Sequence, residues 1–285
     1  MSQSSNNADN HGPWSHGEDL TLAHRLADAA DAITLKRYQA LDLAVSTKPD
    51  NTPVTDADKS AEEAIRALLG AHRPDDGIVG EEFGNEGAER DRYWVIDPID
   101  GTKNFLRGVP TWATLIALIE RASDGSQSTI VSVVSAPALF RRWSAHRGGG
   151  AFVTLNHEDT KRIHVSDVAR IEDASISYSD FQGWGEMLPA FNNLLKQAWR
   201  TRGYGDFWSH MLVAEGALEI AIEPELALWD MGALDLIVTE AGGVFSNTAG
   251  IPGPHGGNGL STNAALHSYV VAALNSESGN GTGGK

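Results

Sequence analysis

Asp97 and Asp100 stand three residues apart in the stretch Asp97-Pro98-Ile99-Asp100-Gly101-Thr102-Lys103-Asn104-Phe105. The apolar run before them, Tyr93-Trp94-Val95-Ile96, reads as a buried strand. Pro98 is rigid and Gly101 favours a turn. Two carboxylates and an intervening backbone carbonyl can therefore be aimed at one place. Hard divalent cations such as Mg²⁺ take oxygen ligands in that arrangement. Alone, the segment reads more readily as a polar turn after a strand.

Two further segments put a carboxylate in a comparable position. Glu81 lies in Gly80-Glu81-Glu82-Phe83-Gly84, just after the short strand Ile78-Val79, and Asp230 begins a helix. Gly101-Thr102 can open another helix, whose unpaired N–H groups suit a phosphate. Four carboxylates around two cations about 3.5–4 Å apart make the architecture of two-metal phosphoryl transfer. Spacing alone leaves open whether these four meet.

The elements that must position them follow from periodicity. A first helix is expected over Glu18–Tyr38, with Leu22, Leu26, Ala29, Ala30 and Ile33 on one stripe. Lys48-Pro49-Asp50-Asn51-Thr52-Pro53 reads as a loop. Thr55 and Asp56 suit the N-cap of a second helix, and Asp58 falls in its first turn, where a carboxylate reads as a cap. Asn85 to Arg92 reads as an exposed turn. Trp112–Ile119 and Thr129–Val134 form an expected hairpin, and Trp143–Phe152 adds an antiparallel pair broken by Gly148-Gly149-Gly150. Later strands are expected at Ala174–Tyr178, Thr201–Tyr204, Leu218–Ile222 and Val244–Ser246. Helices are expected at Met187–Trp199, Trp208–Glu215, Asp230–Ala241 and Ala264–Leu274. Alternation of this kind indicates an α/β second half.

These patterns divide the chain into a polar lead, 1–17, an α+β part, 18–157, an α/β part, 158–275, and a Gly/Ser/Asn tail, 276–285. Lead and tail are expected to be disordered. The formal charge of −16 argues against a nucleic-acid surface and makes an anionic substrate dependent on bound cations. The absence of cysteine excludes disulfides, Cys-ligated zinc and thiol nucleophiles. No apolar run is long enough for a membrane span and no signal-peptide core opens the chain, so a cytoplasmic location is expected.

Taken together, Gly80-Glu81-Glu82, Asp97 to Phe105, and Trp229-Asp230-Met231-Gly232-Ala233 through Glu240-Ala241-Gly242-Gly243 resemble the three signature motifs of the inositol monophosphatase family. The order and spacing match over about residues 18–275. Within that family, Thr47–Asp58, Ser135–Trp143 and Arg202-Gly203-Tyr204-Gly205-Asp206-Phe207 are similar to the actinobacterial histidinol-phosphate phosphatases.

The resemblance implies a five-layer αβαβα sandwich, often dimeric, that binds two to three Mg²⁺ and hydrolyses a small phosphate monoester. Glu81, Asp97 and the carbonyl of Ile99 would hold one ion, and Asp97, Asp100 and Asp230 a second. Glu81 would help a looser third. Thr102, paired with Asp58, would orient or deprotonate the attacking water, and the N–H groups of Gly101 and Thr102 would receive the phosphate. Glu81, Thr102 and Asp58 are thus the expected catalytic residues. The substrate-binding set adds Ile99, Asp100, Asp230, Arg202, Tyr204 and Asp206.

The implied substrate is L-histidinol phosphate, an intermediate of histidine biosynthesis. Alternatives are an inositol monophosphate, a nucleotide 3′-phosphate or another small ester, or a metal-binding regulator without catalysis. Tyr204 and Asp206 suit a flat, cationic leaving group. They read equally as a core residue, with Phe207, and as the N-cap of the Trp208 helix. Arg202 reads as a phosphate or neighbouring-subunit contact, or as a surface ion pair. Gly232 stands where relatives often have Ala, a small change in helix packing.

Overall fold

The structure, a computed structural model, describes residues 15–49 and 52–276. The expected lead and tail lie outside the described residues except at their inner ends. There Ser15 forms a capping box with Glu18 at the start of α1 (His16–Arg37), so His16 and Gly17 are helical. β1 (Val45–Thr47) and β2 (Pro53–Thr55) form a small antiparallel ribbon around the expected loop. Thr55 then caps α2 (Asp56–His72) in a second capping box, with Asp58.

An eight-stranded sheet follows from β3 (Gly77–Gly80), β4 (Gly84–Glu86), β5 (Arg92–Asp100), β6 (Ala113–Arg121), β7 (Gln127–Ala136), β8 (Arg141–His146), β9 (Gly150–Leu155) and β10 (Asp159–Arg162). Its order is β10-β9-β8-β7-β6-β5-β3-β4. Only β3 and β5 pair in parallel. The segment expected as a turn, 85–92, thus contributes the end of β4, an exposed edge strand. The division expected at 157/158 falls inside the β9–β10 hairpin, and the sheet runs to Arg162.

Between β5 and β6 lies α3 (Thr102–Leu106), a single short turn of helix. The second sheet contains β11 (Ser175–Ser177), β12 (Arg200–Arg202), β13 (Ile220–Glu223), β14 (Gly243–Ser246) and β15 (Gly259–Asn263), in the order β12-β11-β13-β15-β14. Its helices are α4 (Leu188–Gln197), α5 (Asp206–Ala214), α6 (Leu228–Glu240) and α7 (His267–Asn275). β15 was not expected from the sequence, and it makes this sheet mixed, pairing antiparallel with both β13 and β14. α7 starts after the expected Ala264.

Side-chain alternation along the large sheet sets the layers. Trp94 and Ile96 of β5, with Ile116 and Leu118 of β6, face Leu22, Leu26 and Ile65 of α1 and α2. Tyr93, Val95, Leu115 and Ala117 point to the opposite face, against Met231, Leu234 and Ile237 of α6 and Met211 of α5. Beyond α5 and α6, Ile176, Ile220 and Leu260 of the second sheet pack on Phe191, Leu194, Val270 and Leu274 of α4 and α7. The result is the expected five-layer αβαβα sandwich. Among the described residues no helix is long and apolar enough to cross a membrane.

Candidate active site

In a regular strand, residues three apart point to opposite faces. Asp97 and Asp100 do not, because the β5–β6 register shifts between them. Pro98 has no N–H for the ladder, and the Ile99 N–H turns back onto Asp97 Oδ1 at 2.9 Å. The irregularity swings both carboxylates to the same side. Gly101 then takes φ +83°, and a Cβ there would stand 2.9 Å from the Thr111 carbonyl oxygen, so the turn needs glycine.

α6 brings the third carboxylate. Asp230 is the third residue of the helix, and its Oδ2 accepts the Ala227 N–H at 2.7 Å. Oxygens of Asp97, Asp100 and Asp230 lie within 4.8 Å of one another. Glu81 leaves β3 beside them, its N–H bonded to the Ile96 carbonyl at 3.2 Å. Asp100 also receives the Phe207 N–H from the start of α5, at 2.7 Å.

Electrostatics mark this as an unbalanced cluster. Burial, then the nearby carboxylates of Glu81, Asp100 and Asp230, hold the proton affinity of Asp97 well above the usual carboxylate range. Burial, then Asp206 and Asp230, do the same to Asp100. Asp230 is pushed up to about 7, chiefly by burial. Among the described residues no salt bridge reaches these three. Lys48 bonds the neighbouring Glu81 Oε1 and Glu82 Oε1 instead, each at 2.6 Å. Its burial favours the neutral amine, but the two carboxylates outweigh that and hold the ammonium charged. Three converging, like-charged oxygen donors without a counter-charge fit a hard divalent cation.

The two oxygens of Asp58 have separate partners. Oδ2 accepts the Thr55 N–H at 2.9 Å and its hydroxyl at 2.5 Å, which is the cap. Oδ1 accepts Thr102 Oγ1 at 3.3 Å, while the same hydroxyl reaches the Ile99 carbonyl at 2.9 Å. Asp58 therefore caps α2 and meets Thr102 at once. Burial raises its proton affinity, against the hydrogen bonds from Thr55.

A cavity of about 380 Å³ opens beside the carboxylates, and Glu81, Asp100 and Asp230 line it. Asp206, Phe207 and His210 of α5, with Lys103, Ser179 and Glu225, line it as well. Asp206 does not cap α5, because the cap position is Gly205 and no side chain bonds there. Its carboxylate instead accepts Asn104 Nδ2 at 3.1 Å, from a backbone at φ +49°. Burial raises it to about 6, opposed by Lys103. Phe207 is buried against Trp143 and Trp208 while touching the cavity.

Arg202 and Tyr204 are not among the lining residues. Arg202 is exposed and bonds the Thr201 carbonyl at 2.7 Å, and the Tyr204 side chain is half-exposed. Lys48, Ser179, His210 and Glu225 were not singled out by sequence reasoning, because no local pattern marks them.

Comparison with known proteins agrees with this arrangement. The model of the inositol monophosphatase family matches residues 17–278. The chain is 55% identical to a histidinol-phosphatase of Streptomyces coelicolor, covering 90% of this chain and 97% of that one. It is 52% identical to a histidinol-phosphatase of Mycobacterium tuberculosis, covering 90% and 98%. Among solved structures, the extragenic suppressor protein suhB of Bartonella henselae superposes with a TM-score of 0.79 at 29% identity, covering 91% of this chain and 99% of that one. With its bulged Asp97/Asp100 strand facing Asp230 at the start of α6, the chain belongs to the inositol monophosphatase family.

Proposed function

We propose that this protein is a Mg²⁺-dependent phosphomonoesterase that hydrolyses L-histidinol phosphate to L-histidinol and phosphate. The observation that carries the reading is the identity of 55% and 52%, over nine-tenths of the chain, to proteins named histidinol-phosphatase. Its substrate bears a phosphate, an ammonium and an imidazole. Cytoplasmic residence and homodimerisation belong to the same proposal.

In this reading Glu81, Asp97 and the Ile99 carbonyl would hold one ion, Asp97, Asp100 and Asp230 would hold a second, and Glu81 would help a looser third. Mg²⁺ there would supply Lewis acidity at the phosphoryl oxygens and a water of lowered pKa. The chain's own groups do the rest. Thr102 Oγ1 orients the attacking water and passes its proton toward Asp58, whose other oxygen is fixed by Thr55. The N–H groups of Gly101 and Thr102 receive the phosphate oxygens. The water oxygen bonds to phosphorus as the ester P–O bond breaks, the departing alcohol oxygen takes up a proton from a solvent water, and Asp58 returns its proton to solvent. Asp206 faces the cationic part of the leaving group and stabilises its charge inside the cavity.

The test is phosphate release by purified protein with Mg²⁺ from L-histidinol phosphate, inositol 1-phosphate, a nucleotide 3′-phosphate and glycerol phosphate. A clear preference for histidinol phosphate, abolished by a chelator, is expected. Equal or faster turnover of inositol phosphate would overturn the substrate assignment. Absence of turnover on every ester would favour a regulator.

A further inference from the structure

His210 of α5 is almost fully buried, yet it lines the cavity that Asp206 and Phe207 of the same helix also line. Its Nδ1 lies 2.7 Å from Ser261 Oγ on β15. Its Nε2 has no hydrogen-bond partner among the described residues. A buried polar atom left unpaired is costly, so its position at a ligand cavity points to a ligand.

Two neighbours pack beside the ring. Phe245 stands at 5.9 Å between centroids. Gly259 passes beside it without a side chain: a Cβ there would stand 3.7 Å from His210 Cε1, an ordinary contact, and 2.8 Å from Leu226 Cδ1. A side chain on this residue of the strand that carries Ser261 would therefore crowd Leu226 next to the imidazole.

We propose that His210 Nε2 is a specificity contact, accepting a hydrogen bond from an N–H of the cationic leaving group. The matching tautomer has its proton on Nδ1, donated to Ser261 Oγ, and a bare lone pair on Nε2. Burial keeps the ring neutral, lowering its pKa to about 3, so no like charge opposes the ligand. Asp206, one helical turn earlier, supplies the opposite charge on the same face. Together they distinguish an amine-bearing alcohol from a polyol, because an alcohol lacking the N–H leaves Nε2 unpaired. This inference rests on the histidinol phosphate reading and adds the residue that selects the leaving group.

Steady-state kinetics of His210→Phe and His210→Gln on histidinol phosphate and on glycerol phosphate provide the test. Loss of one hydrogen bond in His210→Phe should raise KM for histidinol phosphate about tenfold, with kcat within about threefold. KM for glycerol phosphate should stay within about twofold, since that ester never made the bond. His210→Gln, whose amide oxygen can replace Nε2 as acceptor, should recover most of the loss. Equal losses on both esters, or an unchanged KM for histidinol phosphate, would overturn the inference.

If His210→Phe does not fold, long-range ¹H–¹⁵N spectra of the wild-type imidazoles decide. Histidinol should move the His210 Nε2 resonance, and glycerol should not. An unmoved resonance at saturating histidinol rejects the contact. Wild-type enzyme without preference for histidinol phosphate would fell the functional reading and this inference with it. A preference that survives in His210→Phe would fell the inference alone.

Discussion

The carboxylate cluster draws Asp97 and Asp100 from a single irregular strand and Asp230 from the first turn of α6. The group beside it, Ser179, Asp206, His210 and Glu225, comes from loops and a helix of the second half of the chain. The first group is crowded with like charge, and its burial makes each carboxylate resist ionisation. The second mixes the Asp206 carboxylate with a neutral imidazole. The first group is poised for a cation from solution. The second, in the proposed reading, selects what arrives attached to the phosphate.

The sharpest break is at Asp97. Asp97→Asn should lower kcat with Mg²⁺ by about 10³-fold or more, as loss of a preorganised charge at the reacting centre does. It should also raise the Tm of the metal-free protein, because one of the mutually repelling carboxylates is gone. Unchanged turnover at saturating Mg²⁺ would remove Asp97 from the site.

Metal and pH act on the same asymmetry. Folding raises the proton affinity of Asp230 from 3.8 to about 7, so between those values the folded chain holds a proton that the unfolded chain has released. Metal-free stability should therefore fall as pH rises through that window, by up to about 1.4 kcal/mol per pH unit for such a group. Mg²⁺ should restore it, with a larger Tm increase at pH 7.5 than at pH 5. His210 has the opposite sign, since its lowered pKa withdraws stability as pH falls below 6.5. It cancels when samples with and without Mg²⁺ are compared at one pH. A Tm increase independent of pH would contradict the charge-crowded picture.

Asp206→Asn probes the second group. It should raise KM for histidinol phosphate by about tenfold, from loss of a charge-assisted contact, and spare glycerol phosphate. Equal losses would reduce Asp206 to its bond with Asn104.

The smallest effect is expected at Gly232, inside α6 behind the carboxylates. A Cβ there meets Ala117 Cβ at 3.4 Å and Val95 Cγ1 at 3.5 Å, close to ordinary contact. Gly232→Ala should stabilise by about 0.5–1 kcal/mol through helix propensity, with kcat unchanged, as a denaturant midpoint would show.

The same asymmetry governs what the sequence reveals. Asp97 and Asp100 are neighbours in one short stretch, with the Pro and Gly that bend it, so their convergence could be anticipated locally. Glu81 and Asp230 also stand at element ends that hydrophobic periodicity locates. The layers were legible because the strands of the large sheet alternate cleanly between two apolar faces.

β15 was not legible, because Ser261, Thr262 and Asn263 are polar residues buried in mid-sheet, where the pattern rule expects apolar ones. β1 and β2 are three residues each, too short for a periodic signal. Arg202 and Tyr204 looked like companions of Asp206 by adjacency. Gly205, at φ +74°, turns the chain between them, so neighbours in sequence part company in space. His210 needed its partners on β15, fifty residues later, to become visible.

The large sheet also bears on how the chain is made. Strands β5 to β10 join in chain order, so each pairing closes only a short loop. The sheet can therefore be complete at Arg162 while α6, which covers one apolar face, has yet to be synthesised. Its outer strand, Asp159-Thr160-Lys161-Arg162, is exposed and charged, which discourages edge pairing with another nascent chain. On the face of Tyr93, Val95, Leu115 and Ala117, Met211 of α5 is available earlier, but Met231, Leu234 and Ile237 cover it only when Leu228–Glu240 follows. A chain cut before Leu228 should bind an apolar dye strongly and self-associate through that face, whereas dye binding equal to that of the full chain would refute it. Completing the hydrophobic sandwich and placing Asp230 in the site are one event, so a nascent chain gains its cover and its last carboxylate together.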